Sequence, residues 1–254
     1  MIRIIIYLIL IYIIFLLINK IKNNINEYFN EKIEEKDWLE ELFDYRQIIT
    51  IPSRIKHVTE FCKSFNIKVT IFDAILKDNI KYNNIYNLKL GEIACALSQE
   101  AVLQNFINSN KNFFLLMEDD NIPLTNAFYL DIDLKLNDIK EYLKNAFNSL
   151  PANWDVLYLG RCWDNCAKHI PINEYIVKTH RTLCHHAIGF SRKGAKKVLE
   201  AISHPLKIPI DHIVANLTLS GKINSYATIL PIFFQNRIEL KSTLDNNDHL
   251  PICL

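Results

Sequence analysis

Three consecutive carboxylates, Glu118, Asp119 and Asp120, directly follow an apolar run that begins at Phe113. The run predicts a buried strand, and burying this much negative charge without a cation is costly. Side chains alternate along a strand, so Glu118 and Asp120 would share one face while Asp119 points to the other. One carboxylate of that pair can hold a hard divalent cation and the other a sugar hydroxyl. The alternative that needs no ligand is an exposed acidic turn, which has the same spacing.

The elements around this acidic triplet, residues 118–120, alternate between short apolar runs and amphipathic segments. Such alternation is typical of an α/β fold with a mostly parallel sheet flanked by helices. Ligands of these sheets bind beyond the carboxyl ends of the strands, which is where the acidic triplet would stand. The periodicity predicts strands at 47–51, 68–75, 113–119, 155–160, 186–191 and 226–234, and helices at 53–65, 91–109, 134–150, 192–202 and 209–221.

Composition narrows the function classes. The chain has 254 residues, of which half are hydrophobic, so it can form one good-sized core. The net charge of +1 gives no indication of a nucleic-acid partner. There are only 5 glycines and neither a GxGxxG nor a GxxxxGK[ST] pattern, so the glycine-rich phosphate loops are absent from the sequence.

The amino-terminal segment is an unbroken apolar run from Ile4 to Ile18. With its flanking residues it is long enough for a transmembrane helix, and we predict an uncleaved signal-anchor at 1–19. A cleaved signal peptide is the alternative, although no small-residue cleavage site follows. Residues 20–44 are charged and helix-prone and predict a stalk, which leaves 45–254 as the globular domain. The chain is thus expected to be a single-pass membrane protein, with its globular domain lumenal if the host is eukaryotic.

The cysteines leave three alternatives open. Cys162, Cys166 and Cys184 could be free thiols, could form a disulfide, or could bind zinc together with His169. The spacing matches no common zinc pattern. Two further cysteines, Cys62 and Cys95, fall on apolar helix faces and are expected to be core thiols.

Several segments in a fixed order resemble glycosyltransferase family 25, which includes bacterial lipooligosaccharide galactosyltransferases and collagen galactosyltransferases. The resemblance extends over about residues 46–236. It implies a GT-A fold, a UDP-sugar donor with galactose or glucose favoured, Mn²⁺, and inversion at the anomeric carbon. It also implies a hydroxyl acceptor on a glycan or a protein. The segments that carry it are ITIPSRIKHVTEFCKSFNIKVTIFDAI, GEIACALSQEAVLQNFI, FFLLMEDDNIP, WDVLYLG, HAIGFSRKGAKKVLEAI and PIDHIVANL.

The resemblance assigns roles to the acidic triplet. Its three carboxylates stand at the family's E-D-D motif, the counterpart of D-x-D. Asp120 is expected to reach the metal ion, and Glu118 the ribose or the metal shell. Asp119 belongs to the same donor-binding motif.

Four further positions match the family pattern. Ser53 and Arg54 stand at the donor-nucleotide end of the first strand, and Arg54 is either a diphosphate ligand or a solvated helix residue. Asp211 is the candidate general base, with a helix cap and an acceptor-binding residue as alternatives. Glu92 is a candidate for substrate contact, although an acidic residue is favoured at a helix start in any case. One departure from the family is Gln99, where many members have a histidine.

Two adjacent histidines and two alternative functions remain to be considered. His185 and His186 precede an apolar strand, where a hydrogen-bonded structural role is expected rather than a ligand role. A catalytically inactive binding or adhesion protein on the same scaffold is the main alternative to a transferase. An unrelated metal hydrolase is a weaker one, because the sequence lacks any His-rich ligand spacing.

Overall fold

The computed structural model describes residues 16, 19, 20, 37–81, 86–123, 135–237, 239 and 240. The chain divides into two compact units, Met1–Asp37 and Trp38–Leu254, and the fold below is that of the second. Apart from residues 16 and 19, the predicted anchor lies outside the described residues, and so does the predicted stalk between 21 and 36. Within the described part of the chain, no helix is both long and apolar enough to cross a membrane.

The described strands of the second unit are β1 (Tyr45–Thr50), β2 (Thr70–Asp73), β3 (Phe113–Glu118), β4 (Asn121–Pro123), β5 (Val156–Cys162), β6 (Ile170–Pro171), β7 (Ile176–Lys178), β8 (Leu183–Ser191), β9 (Ser225–Thr228) and β10 (Phe233–Gln235). Eight of them form the central sheet, in the order β2-β1-β3-β8-β5-β9-β7-β6. A separate two-stranded antiparallel sheet pairs β10 with β4.

The sheet is mixed, and the expectation of a mostly parallel sheet is wrong. β1 runs parallel to β2 and β3, and β5 runs parallel to β9. In contrast, β8 runs antiparallel to both of its neighbours, β3 and β5, and β7 is antiparallel to β9 and β6. An apolar run records that a strand is buried but not which way it points, so the sequence pattern could not give the direction of β8.

In the described part of this unit, five helices cover the two faces of the large sheet. They are α1 (Ile55–Phe65), α2 (Leu90–Asn108), α3 (Leu136–Asn148), α4 (Arg192–Ala201) and α5 (Ile210–Leu219).

The buried side chains of these helices meet alternate side chains of the strands. On β3, Leu115 and Met117 join the core on one face, whereas Phe114 and Leu116 join the core on the other. Helices α1 and α3 pack on the first face, and α2, α4 and α5 pack on the second.

Two chain segments differ in detail from the sequence pattern. Residues 38–44, in the region predicted as stalk, contribute the buried side chains of Leu39, Leu42 and Phe43 to the core on the α1 side. The predicted strand 226–234 is two strands, β9 and β10, in different sheets. Pro231 lies between them and has no N–H to donate to a strand ladder, which is consistent with the break.

A disulfide joins Cys162, at the end of β5, to Cys184, in β8, with the two Cα atoms 5.5 Å apart. Of the three alternatives, free thiols, a disulfide or a zinc site, the disulfide is therefore the correct one for Cys162 and Cys184. Cys62 is partly buried and packs against the core, as predicted, whereas Cys95 is not a core thiol, because it lines a cleft and its thiol donates a hydrogen bond to Glu118. Among the described residues no group of three or more His, Cys, Asp or Glu side chains could hold a metal ion, so a zinc site is not found there.

Candidate active site

A cleft of about 340 Å³ opens at the carboxyl ends of β1, β2 and β3. Its floor carries the acidic triplet, and one wall is formed by residues 74–78, which follow β2. The first turns of α2 line the cleft next to this wall through Gly91, Ala94, Cys95 and Ser98, and the hydroxyl of Ser98 accepts a hydrogen bond from the N–H of Ile75 at 2.9 Å. The cleft therefore lies where ligands bind in sheets of this kind, beyond the strand ends.

Asp119 is held by the segment that follows β1. Its Oδ1 accepts a hydrogen bond from Nη1 of Arg54 at 2.7 Å, and its Oδ2 accepts one from the main-chain N–H of Ile51 at 3.0 Å. Asp119 and Asp120 form the turn between β3 and β4, so the alternation expected of a strand ends at Glu118. Both aspartates are nevertheless buried, and the alternative of an exposed acidic turn is wrong.

Asp120 is buried with half of its carboxylate unsatisfied. Oδ2 accepts a hydrogen bond from Nε2 of Gln235 at 3.2 Å. Oδ1 is buried without a hydrogen-bond partner among the described residues. Burial raises the pKa of Asp120, and the positive charge of Arg237 opposes that rise. A buried oxygen of this kind is suited to a ligand that brings positive charge.

Glu118 lines the same cleft and is partly buried. Its Oε1 accepts hydrogen bonds from Nε2 of Gln99 at 3.2 Å and from the thiol of Cys95 at 3.8 Å. Burial, together with the negative charges of Asp120 and Asp119, raises the pKa of Glu118 to about 8. Its carboxyl group is therefore largely protonated at neutral pH unless a cation offsets the neighbouring charges.

The residues present fit a divalent cation bound together with a phosphate ligand. Carboxylate oxygens are the ligands that Mg²⁺ and Mn²⁺ prefer. Asp120 offers the unpartnered Oδ1, and Glu118 offers a second carboxylate whose burial a cation would relieve. Since the described residues hold no group of three protein ligands, further oxygens would have to come from the bound substrate and water. That is how Mg²⁺ is held in many phosphate-binding sites.

Two side chains at the cleft were not foreseen from the sequence. Gln235, the last residue of β10, and Arg237, two residues later, line the cleft beside Asp120. Nη2 of Arg237 donates a hydrogen bond to Oε1 of Gln235 at 2.9 Å, and Gln235 in turn donates to Asp120. The guanidinium lowers the pKa of the neighbouring carboxyl groups and could meet a diphosphate. No local pattern around residue 237 indicates this role.

Asp211 lies beside the cleft, at the second residue of α5, where Pro209 is the cap residue. Its Oδ1 accepts a hydrogen bond from the N–H of His212 at 2.9 Å, and its Oδ2 accepts one from the N–H of Cys184 at 3.3 Å. Asp211 is not one of the residues that line the cleft, but its charge is one of the causes, after burial and the charge of Glu118, that raise the pKa of Cys95. Asp211 is thus a first-turn residue rather than the cap itself.

The remaining predicted residues, Glu92 and Ser53, lie next to residues that line the cleft but do not line it themselves. Oε2 of Glu92 accepts a hydrogen bond from the N–H of Lys89 at 2.8 Å, which closes a capping box at the start of α2. Its neighbour Gly91 lines the cleft. Ser53 is exposed in a short 3₁₀ turn, next to Arg54, which lines the cleft. Substrate contact by Glu92 and Ser53 therefore stays a prediction.

The two adjacent histidines are buried and hydrogen-bonded, as expected. Nδ1 of His185 lies 2.8 Å from Oε1 of Gln99, and Nε2 of His186 lies 3.3 Å from the main-chain oxygen of Phe233. Burial lowers the pKa of His185 to about 4 and that of His186 to about 3, so both rings are neutral. The contact of Gln99 with Glu118 was not predicted from the sequence. Gln99 stands one helical turn after Cys95 on the same face of α2, and both side chains contact Oε1 of Glu118.

Comparison with known proteins places the chain in a family. Residues 48–214 match glycosyltransferase family 25, described as an LPS biosynthesis protein family. The match extends over more than half of the chain, and the protein belongs to glycosyltransferase family 25. A curated protein of Haemophilus influenzae, whose name provisionally assigns it to the glycosyltransferases, is 31% identical over 182 residues. That alignment covers 66% of this chain and 60% of the relative, so the chain spans less than two thirds of the relative's length.

Solved structures give more distant similarities. The crystal structure of A197 from STIV is 16% identical with a TM-score of 0.42, and the alignment covers 74% of this chain and 82% of that one. A protein of Bacillus anthracis, provisionally described as a glucose-1-phosphate thymidylyltransferase and solved with a sucrose, is 13% identical with a TM-score of 0.37. That alignment covers 74% of this chain and 69% of the other. At TM-scores this low, neither similarity assigns an activity.

Proposed function

We propose that the protein is a metal-dependent, inverting glycosyltransferase with a GT-A-type fold. It would move a sugar, with galactose or glucose favoured, from a UDP-sugar to a hydroxyl group on a glycan or protein. Membership of glycosyltransferase family 25 supports the reaction class. The observation that carries the proposal is the acidic triplet buried in a cleft at the strand ends, where Oδ1 of Asp120 has no hydrogen-bond partner among the described residues.

The donor would bind through the acidic floor of the cleft. Asp120 and Glu118 would hold Mn²⁺, which supplies charge neutralisation for the departing diphosphate. Arg237, on the rim formed after β10, adds a fixed positive charge for the phosphate oxygens. Asp119 binds no ion in this scheme, because Arg54 and the N–H of Ile51 already occupy both of its oxygens. Asp119 instead fixes Arg54 at the cleft wall.

The acceptor hydroxyl would lose its proton to Asp211. A carboxylate that accepts two main-chain hydrogen bonds is fixed in orientation, and Asp211 has one from His212 and one from Cys184. In a single displacement the acceptor oxygen bonds to the anomeric carbon while the bond to the diphosphate oxygen breaks. The acceptor proton goes to Asp211, and the configuration at the anomeric carbon inverts.

The membrane anchor and the lumenal placement of the domain belong to the same proposal. They rest on the apolar run from Ile4 to Ile18 in the sequence. Carbonate extraction of membranes that contain the full chain tests the anchor, and protease protection in sealed vesicles tests the lumenal placement. An integral anchor keeps the protein in the pellet, and release of the chain into the supernatant would contradict it.

A panel of nucleotide sugars with Mn²⁺, scored by release of UDP or GDP, tests the reaction. We expect release from UDP-galactose or UDP-glucose and a loss of about 100-fold or more in Asp120→Ala, since a direct metal ligand is removed. Glu60→Ala is the matched control, because that carboxylate is exposed on α1 and pairs with exposed Lys56 in an i,i+4 contact. Full activity of Asp120→Ala would exclude the metal assignment. Binding of Mn²⁺ and UDP without any transfer would instead support an inactive binding protein.

A further inference from the structure

We propose that Gln99 is a positioning residue that holds one oxygen of Glu118 against α2 and leaves the other oxygen to the donor complex. The inference rests on the proposed function, because it concerns how the metal-binding carboxylate is oriented. Gln99 itself would touch neither the sugar donor nor the metal ion.

Both ends of the Gln99 amide are engaged. The side chain is 2% exposed and projects from α2 toward β3 and β8. Its Nε2 lies 3.2 Å from Oε1 of Glu118 and 3.5 Å from the sulfur of Cys95. Its Oε1 lies 2.8 Å from Nδ1 of His185. A buried amide bonded at both ends has little freedom to rotate.

The orientation of the Gln99 amide determines the tautomer of His185. An amide oxygen can only accept hydrogen bonds, so Nδ1 of His185, 2.8 Å from Oε1 of Gln99, carries the proton and donates it. The NH₂ group of Gln99 is then turned toward the carboxyl of Glu118. This orientation suits the ionised Glu118 of a cation-bound site, because both oxygens of a carboxylate can only accept hydrogen bonds.

The result is an asymmetric Glu118. Oε1 receives the amide of Gln99 and the thiol of Cys95. In the part of the chain that the structure describes, no residue donates a hydrogen bond to Oε2. A carboxylate fixed at one oxygen loses less entropy when its other oxygen binds a ligand, which is the general advantage of a preorganised site.

Mn²⁺ binding in the presence of UDP tests this without a turnover measurement. Gln99→Met keeps the length of the side chain but removes both hydrogen-bonding ends. We expect the dissociation constant of Mn²⁺, read from the electron paramagnetic resonance signal of the free ion, to rise about tenfold, since a hydrogen bond to a charged group is lost. Gln104→Met is the matched control, because Gln104 is exposed on the same helix and donates a hydrogen bond to Asn108 within that helix. The affinity of this variant for Mn²⁺ should not change.

A double-mutant cycle with Glu118→Gln separates positioning from a structural role. If Gln99 acts through Glu118, Gln99→Met should change Mn²⁺ affinity by less than about twofold in the Glu118→Gln background. An equal loss in both backgrounds would overturn the inference, and so would unchanged affinity in the single variant. Should Gln99→Met fail to give a native circular dichroism spectrum, Gln99→Asn, which withdraws the same amide by one methylene, should show the same weakening. Failure of the wild-type protein to bind Mn²⁺ with UDP would overturn both the proposed function and this inference.

Discussion

Arg54 and Asp119 form an ion pair of 2.7 Å in which both side chains are almost fully buried, 11% and 10% exposed. The pair ties the turn after β1 to the turn after β3, and these two strands are parallel neighbours in the sheet. The main-chain N–H of Ile51 adds a second contact to the same carboxylate. The connection fixes the two chain segments between which the cleft opens.

The first prediction concerns the stability of this connection. Arg54→Met would leave Asp119 buried without its cation, and we expect a loss of about 3 kcal/mol in the free energy of unfolding, measured in urea at pH 7. Lys56→Met is the control, because it breaks the exposed pair with Glu60 at 3.8 Å and should cost less than about 0.5 kcal/mol. Similar losses in the two variants would show that burial of the Arg54 pair has no special importance.

The second prediction concerns the charge on the cleft floor. Mn²⁺ with UDP should raise the melting temperature of the wild-type protein, and a chelator should reverse the effect, since a ligand at 100 times its dissociation constant adds about 2.7 kcal/mol. Asp120→Asn removes a negative charge that burial disfavours, a cost that the positive charge of Arg237 offsets only in part. We therefore expect the variant to melt about 2–4 °C higher than the wild type without metal, and to gain nothing from Mn²⁺ and UDP.

Scanning fluorimetry measures both parts of this second prediction, with Glu60→Gln as the exposed control. A variant at Asp120 that melts lower than the wild type without metal and still gains from Mn²⁺ would contradict it.

The third prediction concerns the disulfide and the candidate base. The N–H of Cys184 donates to Asp211, and Cys184 is fixed by its bond to Cys162, 22 residues earlier in the chain. The variant Cys162→Ser/Cys184→Ser should lower kcat about tenfold or more, because small displacements of a reacting group are costly. It should also lose about 3 kcal/mol of stability from the opened loop.

The affinity for UDP with Mn²⁺ distinguishes this effect from general damage. We expect titration calorimetry to give the same dissociation constant for the double cysteine variant and the wild type, because Asp211 belongs to the acceptor side. Cys62→Ser, at a partly buried cysteine of α1 outside this disulfide, should leave both kcat and affinity unchanged. A parallel loss of rate and UDP affinity would argue against the assignment of Asp211.

The fourth prediction concerns acid stability. Nε2 of His186 faces the oxygen of Phe233, and Nδ1 is buried without a hydrogen-bond partner among the described residues, so protonation of the native ring is disfavoured. Burial lowers the pKa of His186 to about 3, whereas an unfolded histidine titrates near ~6.5. Between about pH 6.5 and pH 3, the histidine of the unfolded chain binds a proton, whereas the ring of His186 in the native protein stays neutral. Stability is therefore fully present above about pH 6.5 and falls by up to about 1.4 kcal/mol per pH unit toward pH 3.

His186→Gln removes this titration and keeps a donor for the Phe233 oxygen. Urea unfolding between pH 7 and pH 4 should give a slope smaller by about one proton than that of the wild type. His204→Gln, at an exposed ring beside Glu100, is the control. An unchanged slope in His186→Gln would mean that the ring already accepts a proton in the native state.

Local sequence patterns predicted the structure correctly where the residue type changes abruptly along the chain. The switch from apolar residues to carboxylates after Met117 predicted the end of a buried strand, and β3 ends at Glu118. The contacts that complete the site could not be found in this way, because they join distant segments. Gln235 reaches Asp120 across 115 positions of sequence, and Gln99 reaches His185 across 86. Such pairs depend on strand order and direction, which periodicity does not encode.

The reversed direction of β8 has a consequence for how this site can change. β3 ends and β8 begins at the same edge of the sheet, because Met117 of β3 lies opposite Ala187 of β8 in antiparallel register. The acidic triplet begins at the last residue of β3, and the histidine pair belongs to the first residues of β8. A longer connection before Leu183 would therefore add residues at this edge without changing the strand that leads into the carboxylates. Exchange of that connection could alter the choice of acceptor while the diphosphate-binding floor is left intact.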